Sequence, residues 1–298
     1  MQMKAQIDYV DIIDQTVLEI QRRLDDPPGF RELAERAFLS PYHFHRIFGA
    51  MVGESPAEMI RRLRLERAAI QIKATDESIT SIAFDAGYAT HEAFTKAFQA
   101  EFEMSPSAFR TSDRNCMGKL APSRVHYTES GSFTRFHLIE RRELEMNLSV
   151  VEFPSKRLAV IHHKGPYQDI GAAFQRLAQT AGPMGLFAKP DAMGVAVYFD
   201  DPESVPPADL HSVAGVVVSE SEAIGDLTEE HLEGGKFLRA EYTGPYSGLG
   251  QAWSTLYGKD IPSGGYQMRD GACFEVYLND CSNTPAEELR TDIYVPIQ

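Results

Sequence analysis

The chain repeats itself twice, with two different periods, and each repeat confines one half of it to a narrow set of folds. The first repeat lies in the N-terminal third. LAERAFLSPYHFHRIFGAMVGESP (Leu33 to Pro56) aligns with IAFDAGYATHEAFTKAFQAEFEMSP (Ile82 to Pro106). Leu33-Ala34 matches Ile82-Ala83, Phe44 and Phe48 match Phe94 and Phe98, and Ser55-Pro56 matches Ser105-Pro106. Each copy reads as helix, tight turn, helix. In copy one, Ser40 is placed as an N-cap with Pro41 at the first helical position. Phe44, Ile47 and Phe48 then recur at i, i+3, i+4 and face the core. In copy two, Gly87 occupies the turn, Thr90 is the cap, and Phe94 and Phe98 form the buried stripe. Val10, Ile13, Val17, Ile20 and Leu24 predict a helix ahead of copy one, and Pro56 to Lys73 predicts a long helix between the copies. The expectation is an all-α domain of about seven helices with two helix-turn-helix units.

The second repeat lies in the C-terminal half. KRLAVIHHKGPYQDIGAAFQRL (Lys156 to Leu177) resembles KFLRAEYTGPYSGLGQAWSTL (Lys236 to Leu256). Gly165-Pro166-Tyr167 matches Gly244-Pro245-Tyr246 at an offset of 79. Ile170, Phe174 and Leu177 match Leu249, Trp253 and Leu256, and Tyr198 to Asp201 matches Tyr277 to Asp280 at the same offset. Each copy reads as strand, GPY turn, helix, strand, which predicts an α+β domain made of a duplicated unit with a ligand groove between the copies. From Thr111 to Glu145 the texture changes to Ser, Gly, Thr and Arg, with a short strand expected near Phe133–Ile139. The expected boundaries are therefore 1–112 for the helical domain, 113–146 for a linker and 147–298 for the α+β domain.

The net charge of -14 argues against nucleic acid only if it is spread evenly. Residues 1–112 hold 13 Lys and Arg against 17 Asp and Glu, a net of -4, and the rest of the chain carries -10. Within 40–73 the sign reverses. Arg46, Arg61, Arg62, Arg64, Arg67 and Lys73 outnumber Glu54, Glu58 and Glu66, the local surface that phosphate contact needs. No run of about 18 apolar residues marks a membrane span, and the first residues lack the pattern of a signal peptide. Three cysteines without metal-like spacing fit a reduced, cytoplasmic protein with no cofactor and no metal.

With Phe44, Ile47 and Phe48 turned inward, Tyr42, His45 and Arg46 share the other face of their helix. Such side chains reach base edges and phosphates, and an arginine pairs bidentately with guanine; a merely solvated face is the alternative. The equivalent helix of copy two presents His91, Glu92, Thr95 and Lys96. In the C-terminal half, Glu275 stands in the apolar strand Phe274–Leu278, where an unpaired carboxylate is costly to bury. Its counterpart in copy one is Ala196, so the fold of the unit does not need an acid there. Three roles stay open for Glu275: pairing with a cationic effector, accepting hydrogen bonds from a neutral one, or acting as a general base. A carboxylate satisfied within the fold is the alternative. Trp253, Tyr167, Tyr246, Tyr198 and Tyr277 add aromatic surface around the same groove.

Phe30 to Arg110 resembles the AraC/XylS family of transcription regulators, on LAERAFLSPYHFHRIF, GESPAEMIRRLRLERA, SIAFDAGYATHEAFTKAF and MSPSAFR. The resemblance implies two recognition helices in successive major grooves of double-stranded DNA. It places contacts at Tyr42, His45 and Arg46, and at Thr90, His91, Glu92, Thr95 and Lys96. One minor departure is Glu103, which stands where copy one has Gly53. Asn147 to Gln298 resembles the GyrI-like effector-binding domain of several multidrug-sensing regulators, on VIHHKGPY, VYFDDPESVP, EYTGPYSGL, FEVYLND and TDIYVPI. That resemblance implies that Glu275 reaches the ligand pocket. Together they imply a cytoplasmic regulator that binds a promoter or operator and a small-molecule effector, cationic or drug-like, and acts on RNA polymerase without membrane contact. No catalytic residue is assigned in this reading. Two other readings are a small-molecule hydrolase working through Glu275 and a DNA-binding protein with a passive second domain.

Overall fold

A serine or threonine stands immediately before most of the N-terminal helices. The structure is a computed structural model and describes residues 8–139, 144–189, 192–200 and 205–298. It divides into two compact units, one of Asp8–Phe38 and Arg46–Arg141, the other built on Leu39–His45 and Arg142–Gln298. The helices are α1 (Tyr9–Arg22), α2 (Phe30–Arg36), α3 (Pro41–Val52), α4 (Pro56–Ala74), α5 (Ile79–Asp85), α6 (His91–Phe102) and α7 (Pro106–Arg110). Ser55 caps α4 in a reciprocal box with Glu58, and Ser78, Thr90 and Ser105 cap α5, α6 and α7. Each such cap contributes about 1 kcal/mol. Proline follows the cap in α4 and α7, where its missing N–H costs nothing. On α1, Tyr9 joins Ile13, Val17 and Ile20 in the buried stripe, while Val10 points outward. Under copy two, Phe94, Phe98, Phe102 and Phe109 pack with ring centroids 4.5 to 5.5 Å apart.

The stretch expected as a linker packs against α4. Arg62 forks onto Glu54 (2.5 and 3.0 Å), reaches Glu66 (3.2 Å) and donates to the Val125 carbonyl (2.8 Å). Glu66 is fully buried and accepts from His126 Nδ1 (2.6 Å) and the Tyr127 N–H (2.8 Å). Phe133 makes a single bridge to Tyr127 instead of starting a strand. The basic stretch 40–73 is therefore partly internal. Arg64 caps the carbonyls of Leu24 and Asp25, Arg67 pairs with Asp25, and Lys73 donates to the carbonyls of Ser112 and Arg114. The expected basic surface loses these cations because each satisfies a carboxylate or backbone carbonyls about 40 residues away in sequence.

The second unit holds β1 (Asn147–Phe153), β2 (Lys156–Lys164), α8 (Gly171–Ala181), β3 (Gly194–Tyr198), β4 (His211–Val218), β5 (Thr228–Leu232), β6 (Gly235–Thr243), α9 (Leu249–Thr255), β7 (Cys273–Tyr277) and β8 (Arg290–Pro296). Among the described residues these strands form one antiparallel sheet in the order β1-β6-β8-β7-β3-β4-β2-β5. The order is a palindrome of the two copies, β6-β8-β7 against β3-β4-β2. Each GPY turn is held the same way. Gly165 and Gly244 take φ of +135° and +143°, and a Cβ on Gly244 would lie 2.7 Å from the Tyr242 hydroxyl oxygen. The Tyr242 hydroxyl donates to the Pro245 carbonyl (2.9 Å), and His163 Nε2 lies 3.1 Å from the Pro166 carbonyl. His163, two residues before its glycine like Tyr242, is thus part of a turn. Asp201, matched in sequence to Asp280, lies outside the described residues.

Candidate functional site

β3 and β7 pair antiparallel at the centre of the sheet, with Ala196 directly opposite Glu275. Because 275 is 196 plus the repeat offset of 79, a residue and its own equivalent face each other. The pseudo-twofold axis of the duplication passes between them. On either side Gly194 pairs with Tyr277 and Tyr198 with Cys273. Side chains alternate along a strand, so Ala196, Tyr198, Glu275 and Tyr277 share one face. That face carries α8 and α9.

Glu275 is 2 % exposed. The hydroxyls of Tyr198 and Tyr277, equivalent residues, both donate to its Oε2, at 2.8 and 2.7 Å. Trp253 on α9 donates its indole N–H to Oε1 at 2.6 Å. Three neutral donors thus satisfy the carboxylate, and no Lys, Arg or His stands within ion-pair distance of it among the described residues. Burial, and next the Glu275 charge, push the Tyr277 phenol well above its ordinary value. Burial, followed by Cys281 and Asp280, pushes Tyr246 up to about 12. Both phenols stay protonated donors at neutral pH.

The walls obey the same pseudo-symmetry. Tyr167 packs on Tyr198 (4.8 Å between centroids) and Tyr246 on Tyr277 (5.3 Å). Phe174 meets Tyr277 edge-on (5.1 Å) and Trp253 meets Tyr198 edge-on (6.4 Å). All six sequence-predicted effector residues therefore converge. Phe174 is an addition, and the repeat contained the signal, since it is the counterpart of Trp253. Tyr167 also has a bracing role: its hydroxyl donates to the Asp200 carbonyl and accepts from the Asp200 N–H. A single negative charge in a low-dielectric aromatic cage attracts a cation with apolar bulk. The hydrolase reading is not favoured, because two phenols and an indole already occupy the oxygens a general base would use.

Tyr42, His45 and Arg46 lie on α3 and are half-buried; Arg46 belongs to the helical unit, while Tyr42 and His45 fall in the short stretch grouped with the other. On α6, His91, Glu92 and Lys96 are exposed and Thr95 is half-buried. Thr90 is exposed, and its hydroxyl accepts from the Ala93 N–H as the helix cap. Glu92 sits in the first turn, where a hydrogen bond from its own backbone N–H, and next one from the Thr90 side chain, hold its carboxyl below the usual range. No helix among the described residues is long and apolar enough to cross a membrane.

Two helix-turn-helix units in one half and a caged carboxylate in the other define a DNA-binding transcription regulator with an effector-binding domain. Comparison with known proteins agrees: the chain belongs to the family that carries the GyrI-like small molecule binding domain, matched over residues 146–298, and residues 33–112 match an AraC-type helix-turn-helix domain. It is 24% identical over 311 residues to the Right origin-binding protein of Escherichia coli K12, covering 98% of this chain and 100% of that protein. It is 32% identical over 99 residues to the Regulatory protein SoxS of Salmonella typhimurium LT2, covering 33% of this chain and 92% of SoxS. It is 28% identical over 145 residues to a DNA gyrase inhibitor of Yersinia enterocolitica, covering 45% of this chain and 88% of that protein.

Proposed function

We propose that the effector is a lipophilic, drug-like cation held at Glu275, and that its binding changes how the helical unit engages a promoter. One observation carries this reading: a buried carboxylate with three neutral donors, no cationic partner among the described residues, and aromatic walls. The protein then acts in the cytoplasm as a regulator and not as an enzyme, with residues 1–112 reading DNA, 147–298 reading the effector, and RNA polymerase receiving the outcome. The α3 and α6 side chains named above supply the DNA contacts. A full-length relative named as an origin-binding protein and a shorter one named as a regulatory protein support DNA as the partner.

The test is selection of genomic fragments by the purified protein at fixed salt, followed by footprinting with and without tetraphenylphosphonium. An asymmetric protected site of about two helical turns is expected. Arg46→Ala should weaken it by about 1–3 kcal/mol, and the cation should shift its affinity or the output of its promoter. Salt-sensitive binding to all fragments alike would overturn the assignment of these helices.

A further inference from the structure

A cavity of about 190 Å³ opens on the sheet face opposite Glu275. Phe274 and Val276 flank Glu275 on β7 and so point away from the aromatic cage. They join Leu158, Val197, Val213 and Phe237 in one core cluster, and the last four form the apolar floor of the cavity.

Its wall carries an arginine built into a slot. The Arg269 guanidinium carbon lies 5.0 Å from the centre of the Phe237 ring. A Cβ on Gly235 would stand 2.7 Å from Nη2 and one on Gly271 2.9 Å from Nη1, so the two glycines leave the room that the guanidinium fills. It donates to the carbonyls of Asp270 (3.0 Å) and Gly234 (3.4 Å). A guanidinium has five N–H donors, and no carboxylate lies within ion-pair distance of this one among the described residues. Glu230 pairs across the sheet with Leu158 and so faces the same side, and Glu233 completes the acidic part of the lining.

We infer that this cavity binds a small zwitterionic amphiphile of the hydrophobic α-amino-acid type. The apolar group lies on the Leu158, Val197, Val213 and Phe237 floor, the carboxylate pairs with Arg269, and the ammonium turns toward Glu230 and Glu233. A simple cation meets the arginine, and a simple anion meets two carboxylates, so each fits half the lining. An apolar cavity of about 150 Å³ holds benzene, which sets the scale at one ring or one branched aliphatic group.

Calorimetry on the full-length protein compares L-phenylalanine with 3-phenylpropanoate, which lacks the ammonium, and phenethylamine, which lacks the carboxylate. L-Phenylalanine should bind at least about ten-fold more tightly than either. Arg269→Gln should weaken it by a similar factor, and Glu275→Gln should leave it unchanged. Amide shifts of Leu232 and Ala272 on the unmutated protein give a readout that needs no variant. Absence of L-phenylalanine binding at millimolar concentration, equal binding of all three compounds, or a loss confined to Glu275→Gln would each overturn the inference.

Discussion

The two copies of the strand–turn–helix unit share a scaffold and differ in charge. Both use a left-handed glycine, a side chain two residues earlier that braces the turn, and a tyrosine packed at a steep angle on the tyrosine of the central strand. At the axis itself the copies part: Ala196 faces Glu275, and Phe174 answers Trp253. The axis carries a single carboxylate. Its alanine partner leaves the space, and the two symmetric tyrosines both turn to the single acid. Duplication thus built the cage, and asymmetry at two positions gave it a sign.

Restoring symmetry at the axis should have the largest effect. Ala196→Glu sets a second buried carboxylate directly opposite the first and should destabilise the unit by about 3–5 kcal/mol, read as a fall in denaturant midpoint. Unchanged stability would show that the axis is roomier than the pairing of β3 and β7 indicates. Trp253→Phe installs the copy-one side chain and strips a donor from a buried carboxylate. It should cost about 1–3 kcal/mol by the same readout.

The helix-turn-helix copies offer a smaller version of the same contrast. Gly53 ends α3 at φ +84°, and Glu103 ends α6 at φ +61°. Side chains disfavour that region, so Glu103→Gly should stabilise the protein by about 0.5–1 kcal/mol, whereas Gly53→Ala should do the opposite. An alkaline titration followed by phenolate absorbance sharpens the electrostatics. Tyr277 and Tyr246 have folded-state values raised above an unfolded value of about 10, so their contribution to stability is complete below pH 10 and lost as pH rises through the folded values, near 12 for Tyr246. Glu275→Gln should bring Tyr277 down, and an unmoved Tyr277 would mean that burial alone sets it.

The elements were legible in the sequence because the signals are local: Phe44, Ile47 and Phe48 at helical spacing, Ser-Pro at three helix starts, and GPY twice at one offset. The candidate cage was legible because the repeat supplied its own control at Ala196. The axis was not. An offset shows which residues correspond, but only the antiparallel pairing of β3 with β7 sets Ala196 against Glu275. The fate of the arginines was equally hidden. Arg62 reads as part of a basic surface for phosphate until Val125 and His126, about sixty residues on, fold over it and Glu66 and remove both from water.

In the proposed function, an uncompensated carboxylate on the pseudo-twofold axis selects a cationic effector. The direct test is calorimetry of tetraphenylphosphonium against triphenylphosphine oxide, a neutral compound of related shape, on the unmutated protein and on Glu275→Gln. The cation should be preferred by about 2 kcal/mol or more in the unmutated protein, and the preference should vanish in the variant. Equal binding of the two compounds, or a preference that survives Glu275→Gln, would show that the Glu275 charge does not select the effector.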